Sequence, residues 1–344
     1  MKRAFYPFTA IVGQDEMKEA LILNAINPAI GGVLIRGEKG TAKSTAVRAL
    51  ADLLPSRDVV DGCPCNCSWG DAEQTCPECQ SKISSGSAVK APLPMTVVEL
   101  PLSSTEDRVA GTLDIEHAIT TGKKKFEPGI LAKANGNILY VDEVNLLDDH
   151  IVDLLLDAAA MGTNYIEREG VSYYHPSKFI LIGTMNPEEG DLRPQLLDRF
   201  GLMVDVKGEQ DEKMRTEVIR RRLDFERDPE RFRSRYEQSN SELRDKIVRA
   251  KDSVRDIEPD DRTLTMAARI SMHLGVDGHR SDLTLVKAAC ARAAMTERDK
   301  VSPEDVIEVS KLVLPHRMRK NPFQDSGLDM GGLDSWMRET LSKL

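Results

Sequence analysis

The chain has 344 residues, 40% of them hydrophobic and 30% charged, and a formal net charge of -9. That length supports a sizeable core and two domains, while the acidic balance argues against nucleic acid or an anionic membrane surface as a partner. No apolar run is long enough to span a bilayer and residues 1–8 lack the apolar stretch of a signal peptide, so the chain is expected in the cytoplasm.

In chain order, residues 33–36 read as a short buried strand entering a glycine-rich turn. Residues 44–54 carry helical spacing that stops at Pro55, which gives strand, loop, helix. Residues 56–92, rich in Cys, Ser, Gly and Pro, read as an insertion, and 97–100 as a second strand. Residues 113–136 include Thr120, Thr121, Gly122 and the run Lys123, Lys124, Lys125, and suggest a hairpin or loop plus a short helix. Residues 138–141 read as a buried strand ending on Asp142 and Glu143. Helical spacing returns over 149–161, and alternation over 163–175 predicts a hairpin. Residues 179–182 form a further buried strand that leads to Asn186, and 202–206 the last.

Short buried strands alternating with helices predict an α/β fold, a parallel sheet covered on both faces. From 209 to 314 the chain is charged, helical and free of strand signals. The expected division is 1–207 as an α/β nucleotide-binding domain, 208–259 as a helical connector and 260–344 as an all-α domain with a tail. That tail is expected to be loose after Pro315 until a short helix near Trp336.

The turn after the first strand reads Gly37-Glu38-Lys39-Gly40-Thr41-Ala42-Lys43-Ser44, followed by Thr45. A glycine-rich backbone at a helix N-terminus presents several N–H groups and the helix dipole to phosphate. Lys43 can reach the β- and γ-phosphates, and Ser44 can ligate Mg²⁺. Ala42 stands where the consensus has glycine, and the position tolerates alanine if φ is negative there. Asp142 ends a buried strand, so its carboxylate falls at the sheet's carboxyl edge, where it can hold Mg²⁺ directly or through water. Glu143 can polarise the attacking water, and Asn186 can position that water or simply form a turn before Pro187. Arg199, within 192–200, can serve a γ-phosphate as a transition-state cation or pair with Asp198 or Glu189. Arg280 precedes Ser281 and Asp282, which look like a helix N-cap and an acidic first turn. An arginine there opposes the helix dipole unless a phosphate is near.

This ordered set is the AAA+ pattern, and its details resemble the I subunit of magnesium chelatase. Residues 8–14 (Phe8 to Gln14, through Val12 and Gly13) look like that family's opening near the adenine. Residues 141–147, 183–190, 192–201 and 314–319 look like its later motifs, so that the resemblance covers most of 5–323. It implies ATP and Mg²⁺ bound by the 37–45 loop and Asp142, Glu143 acting on water, Asn186 as first sensor and Arg280 as second. It also implies that Arg199 reaches a neighbouring subunit's site, hence a homo-oligomeric ring, a hexamer as in the family. The hairpins near 113–128 and 163–175 match insertions that engage partners. The implied partners are an integrin-like D-type subunit and a large tetrapyrrole-binding subunit, with no nucleic acid and no membrane span.

ATP hydrolysis would then drive insertion of Mg²⁺ into protoporphyrin, or of Co²⁺ or Ni²⁺ into a related ring. The alternative is a MoxR-type chaperone that remodels or metal-loads another protein through an integrin-like partner. A DNA-remodelling motor fits poorly with the acidic charge, and a pure metal-binding module would need a dead nucleotide site. Cys63, Cys65, Cys67, Cys76 and Cys79 crowd the insertion. In a cytosolic chain such a cluster points to Zn²⁺, an Fe–S cluster or a thiol switch before structural disulfides.

Overall fold

The structure is a computed structural model that describes residues 5–70, 75–113, 126–168, 171–276, 278–318 and 330–343. Helix α1 (Asp15–Ile26) leads to β1 (Val33–Gly37) and α2 (Lys43–Leu53). The insertion follows as β2 (Arg57–Val60), α3 (Pro77–Ser84) and β3 (Lys90–Leu93). Next come β4 (Val97–Glu99), α4 (Glu106–Ala110), β5 (Gly111–Leu113), β6 (Phe126–Pro128), α5 (Ile130–Ala134) and β7 (Ile138–Val141). They are succeeded by α6 (Asp149–Met161), β8 (Thr163–Arg168), β9 (Val171–Pro176), β10 (Ile180–Met185), α7 (Pro194–Leu197) and β11 (Leu202–Val206). The remainder is helical: α8 (Glu212–Arg227), α9 (Pro229–Ser253), α10 (Asp261–His273), α11 (Arg280–Met295), α12 (Pro303–Val313) and α13 (Met330–Ser342).

Five strands form one parallel sheet in the order β11-β1-β10-β7-β4. Their apolar runs are continuous because both faces are covered, and alternate residues serve different cores. Val33, Ile35, Ile138, Ile182 and Val204 pack with α1, α2 and the C-terminal helices. Leu34, Leu139, Val141, Leu181 and Met203 pack with α5 and α6 on the opposite face. The second core also takes Phe200, which is fully buried just before β11. β10 runs further than the apolar run 179–182 suggests, because Gly183–Met185 continues the pairing with β1 and stays buried.

The hairpin expected over 163–175 is present as antiparallel β8 and β9, with Tyr165 opposite Tyr174. β5 and β6 also pair antiparallel; residues 114–125, which include the three-lysine run, lie outside the described residues, as does 319–329 of the tail. Among the described residues no helix is long and apolar enough to cross a membrane.

The C-terminal helices are stopped and started by side chains. Asp211, Asp228 and Asp260 each accept a backbone N–H three residues on, and Ser302 with Asp305 forms a reciprocal cap for α12. The cap expected at Ser281 is absent. α11 begins two residues earlier, at Arg280, with His279 in the cap position. The Ser281 hydroxyl is buried 3.1 Å from that of Ser271 on α10, so helix packing has claimed it.

Candidate nucleotide site

Three loops leave the carboxyl ends of β1, β10 and β7, which are neighbours in the sheet, and so the chain delivers their residues to one edge. β1 ends on Gly37 against β11. A Cβ there would stand 2.1 Å from the Val206 carbonyl oxygen, which only glycine avoids. The loop then turns through Gly40 (φ 85°) and Ala42 (φ 63°) before α2 starts at Lys43. The left-handed φ at Ala42 corrects the condition set for alanine at this position. The turn has kept the backbone a glycine would give, at a steric cost of about 1–2 kcal/mol. The Lys43 ammonium donates to the Gly37 carbonyl. Burial lowers its pKa, opposed by the field of Asp142 and Glu143.

β7 ends at Val141, so Asp142 and Glu143 stand directly above the sheet. Asp142 Oδ1 accepts hydrogen bonds from the Thr184 hydroxyl (2.6 Å) and the Tyr140 hydroxyl (2.8 Å). Thr184 Oγ1 in turn accepts the Glu143 N–H at 3.2 Å. Glu143 is itself left-handed, with φ 55°. Its carboxylate lies 3.4 Å from Lys39 Nζ, which also pairs with Glu189 at 2.5 Å. These two acids hold the Lys39 ammonium charged well above its usual range, Glu189 more strongly than Glu143. Asn186 is buried after β10 and its Oδ1 accepts the Glu188 N–H at 3.3 Å, so it also caps the short turn that follows.

These groups border a cleft of about 800 Å³. Val12, residues 39–45, Asp142, Glu143 and Asn186 line it. Gly13, Gly37 and Glu38 are not among its lining; Gly13 is left-handed (φ 62°) and sits against the Glu209 carboxylate. One wall comes from α8, through Arg215, Val218, Ile219 and Arg222. That stretch reads as a connector in the sequence, and the two adjacent aliphatics in a charged helix were its signal. Thr184 and Tyr140 also line the cleft and were not singled out.

The cleft's chemistry suits a nucleoside triphosphate with a divalent cation. Lys43 and the start of α2 offer positive potential, and Ser44 and Asp142 offer hard oxygen ligands.

Neither expected arginine lines the cleft. Arg199 pairs with Asp157 and, at 3.3 Å, with Asp153, both on α6. Arg280 pairs with Asp198 at 2.9 Å. Asp198 and Phe200 also receive Arg317, which is 8% exposed and donates to the Phe200 carbonyl at 2.8 Å and the Asp198 carbonyl at 3.3 Å. His316 Nε2 lies 2.9 Å from the same Phe200 oxygen, while its Nδ1 is buried without a partner. Burial, reinforced by Arg317, lowers the His316 pKa to about 3. Burial likewise lowers Arg317 to about 10.

Residues 85–200 match the AAA domain of the dynein-related subfamily, and 264–331 the AAA lid domain. A magnesium-chelatase subunit ChlI homolog of Methanocaldococcus jannaschii is 57% identical over 97% of this chain and 91% of its own. The chain belongs to the magnesium-chelatase subunit I family of AAA ATPases. Other members include the magnesium-chelatase subunit ChlI of Mesostigma viride, 50% identical over 95% of this chain and 91% of its own. The chloroplastic ChlI of Nicotiana tabacum is 50% identical over 95% and 78%. Among solved structures, a chain from the cryo-EM-based complex between subunits BchI and BchD of magnesium chelatase is 45% identical, with a TM-score of 0.55, covering 98% of this chain and 100% of that one. An ATPase-like chain from Cytophaga hutchinsonii, 17% identical with a TM-score of 0.61 over 96% and 90%, shares the fold. As a member of the subunit I family this chain is an ATP-hydrolysing AAA protein, and the chaperone alternative is not favoured.

Proposed function

We propose that this subunit is the motor of a metal chelatase, a ring of identical chains whose ATP hydrolysis drives insertion of Mg²⁺ into protoporphyrin or a closely related tetrapyrrole. The observation that carries the site is the meeting of the 39–45 loop, Asp142, Glu143 and Asn186 in one cleft. Lys43 and the loop's N–H groups bind the phosphates, and Ser44 with Asp142 would hold Mg²⁺, which would supply positive charge against the phosphates. Glu143 takes the proton of the attacking water and Asn186 orients that water. Val12 and Gly13 bound the adenine end.

Arg199, outside its own chain's cleft, serves the γ-phosphate of the neighbouring copy, and Arg280 reports nucleotide state from the helical lid over 260–344. Sites shared in this way need a closed ring, in this reading a hexamer in the cytoplasm. An integrin-like D-type subunit and a large tetrapyrrole-binding subunit complete the assembly. The BchI–BchD complex supports the first of these partners. Inserting Mg²⁺ is slow without work, because the ion gives up its water reluctantly.

The test uses Glu143→Gln. ATP binding is expected to persist while hydrolysis falls about 10²–10⁴-fold. Held on ATP in an extract of its own cells, the variant should retain an integrin-like partner and a large tetrapyrrole-binding subunit. Recovery of an unrelated client protein instead would move the reading to a chaperone, and unchanged turnover would remove Glu143 from the chemistry.

A further inference from the structure

The insertion contains more buried thiol than buried hydrocarbon. Its cluster joins Cys63, Cys65, Cys67, Cys76 and Cys79 to Val60 and to Ala132 of α5, with Ala88 and Phe126 at the margin. None of the five forms a disulfide. The spacing is Cys63-x₃-Cys67 and Cys76-x₂-Cys79, with Cys76 as the cap of α3 and Cys79 in its first turn. The sulfurs of these four all lie within 4.8 Å of one another, and those of Cys63 and Cys76 are 3.9 Å apart.

We propose that Cys63, Cys67, Cys76 and Cys79 hold one Zn²⁺ in a closed structural site, and that this knuckle seats the β8–β9 hairpin. Tetrahedral zinc with Zn–S bonds of about 2.3 Å places its sulfurs about 3.8 Å apart, so the present spacing needs little contraction. An Fe–S cluster spreads its four cysteines over two or more irons and so holds the set farther apart than a single ion does. Cys65 is fully buried but stands outside the four. The four sulfurs that all lie within 4.8 Å of one another do not include its own, and its carbonyl accepts Asn135 Nδ2 at 2.9 Å. Four ligands fill a structural zinc shell and leave no open position for catalysis.

The site's reach follows from its neighbours. Glu78, between two of the ligands, accepts a 2.6 Å hydrogen bond from the Tyr173 hydroxyl on β9. Tyr173 stacks on Phe126 of β6 with ring centroids 4.4 Å apart. A segment this poor in apolar residues gains its folding energy from the metal, and the hairpin leans on what the metal folds.

The experiment uses the full wild-type chain, expressed with zinc and iron both supplied and then dialysed. Elemental analysis should give about one zinc per chain. Cys65→Ser should keep that zinc and Cys79→Ser should lose it. Where Cys79→Ser does not fold, mercurial titration of the wild type, followed with a zinc indicator, should release the ion as four thiols react. On stripping the metal, backbone hydrogen exchange over 163–176 should accelerate, and re-added zinc should restore it. Iron in place of zinc, absence of metal, or loss of zinc in Cys65→Ser would overturn the ligand assignment. Exchange over 163–176 that ignores zinc removal would overturn the bracing.

Discussion

The nucleotide cleft and the clamp around Asp198 are both built from charges, and they treat them in opposite ways. In the cleft Lys39 is 68% exposed and is shared between Glu143 and Glu189. Such pairs near water are worth little and exchange cheaply. In the clamp Arg317 is 8% exposed and spends its hydrogen bonds on backbone carbonyls of Asp198 and Phe200. Leaving buried carbonyls unpaired costs about 1–3 kcal/mol each, so this contact resists exchange. The cleft thus keeps its charge in reach of water, and the clamp buries its charge on the main chain.

The sharpest way to break that comparison is Arg199→Ala, since Arg199 neighbours the clamp in sequence but pairs with exposed acids of α6. ATP turnover should fall about 10³-fold, with a melting temperature that moves little because the lost pairs are superficial. Mixed with wild type, the variant should suppress turnover beyond simple dilution. Strictly proportional dilution would show that Arg199 acts only within its own chain.

The clamp itself is tested by acid. The folded-state pKa of His316 lies near 3, below its unfolded value. The unfolded chain therefore binds the extra proton first, and stability is full above about pH 6.5 and lost as pH falls toward 3. The slope is at most about 1.4 kcal/mol per pH unit. Denaturant midpoints measured from pH 7 to 5 should fall more steeply for wild type than for His316→Gln. Parallel pH profiles would mean that Nδ1 finds an acceptor once protonated.

The smallest effect belongs to the phosphate loop. Ala42→Gly relieves a left-handed alanine and should raise stability by about 1 kcal/mol or less, since glycine also loosens the unfolded chain. A shift in urea midpoint at constant slope would measure it. A destabilised variant would show that the loop is held by more than local backbone preference.

Much of this could be read from the chain before any fold was in hand. The runs 33–36, 138–141 and 202–206 announce doubly covered parallel strands because they lack alternation. Asp142 and Glu143 declare themselves by following one of them. Other features were hidden for physical reasons. Thr184 lies inside an apolar strand, and only the register of β10 against β7 brings its hydroxyl to Asp142. Val218 and Ile219 sit on a helix with no buried residue, and only the fold brings them to the wall of the cleft. The partners of Arg199 and Arg280 depend on α6 and α7, whose placement no local pattern encodes. Ser281 has the composition of a cap and was taken by tertiary packing instead.

Asp198 has one further consequence. Its side chain pairs with Arg280 at the head of α11 and with Arg317 beyond α12, and the next residue in the chain is Arg199. The carboxylate acts as a pivot pin between two parts of the molecule. A rotation of α11 would either pull on residues 197–200 or part Arg280 from Asp198. Arg280 of α11 and Arg317 beyond α12 thus meet on the residue that immediately precedes Arg199.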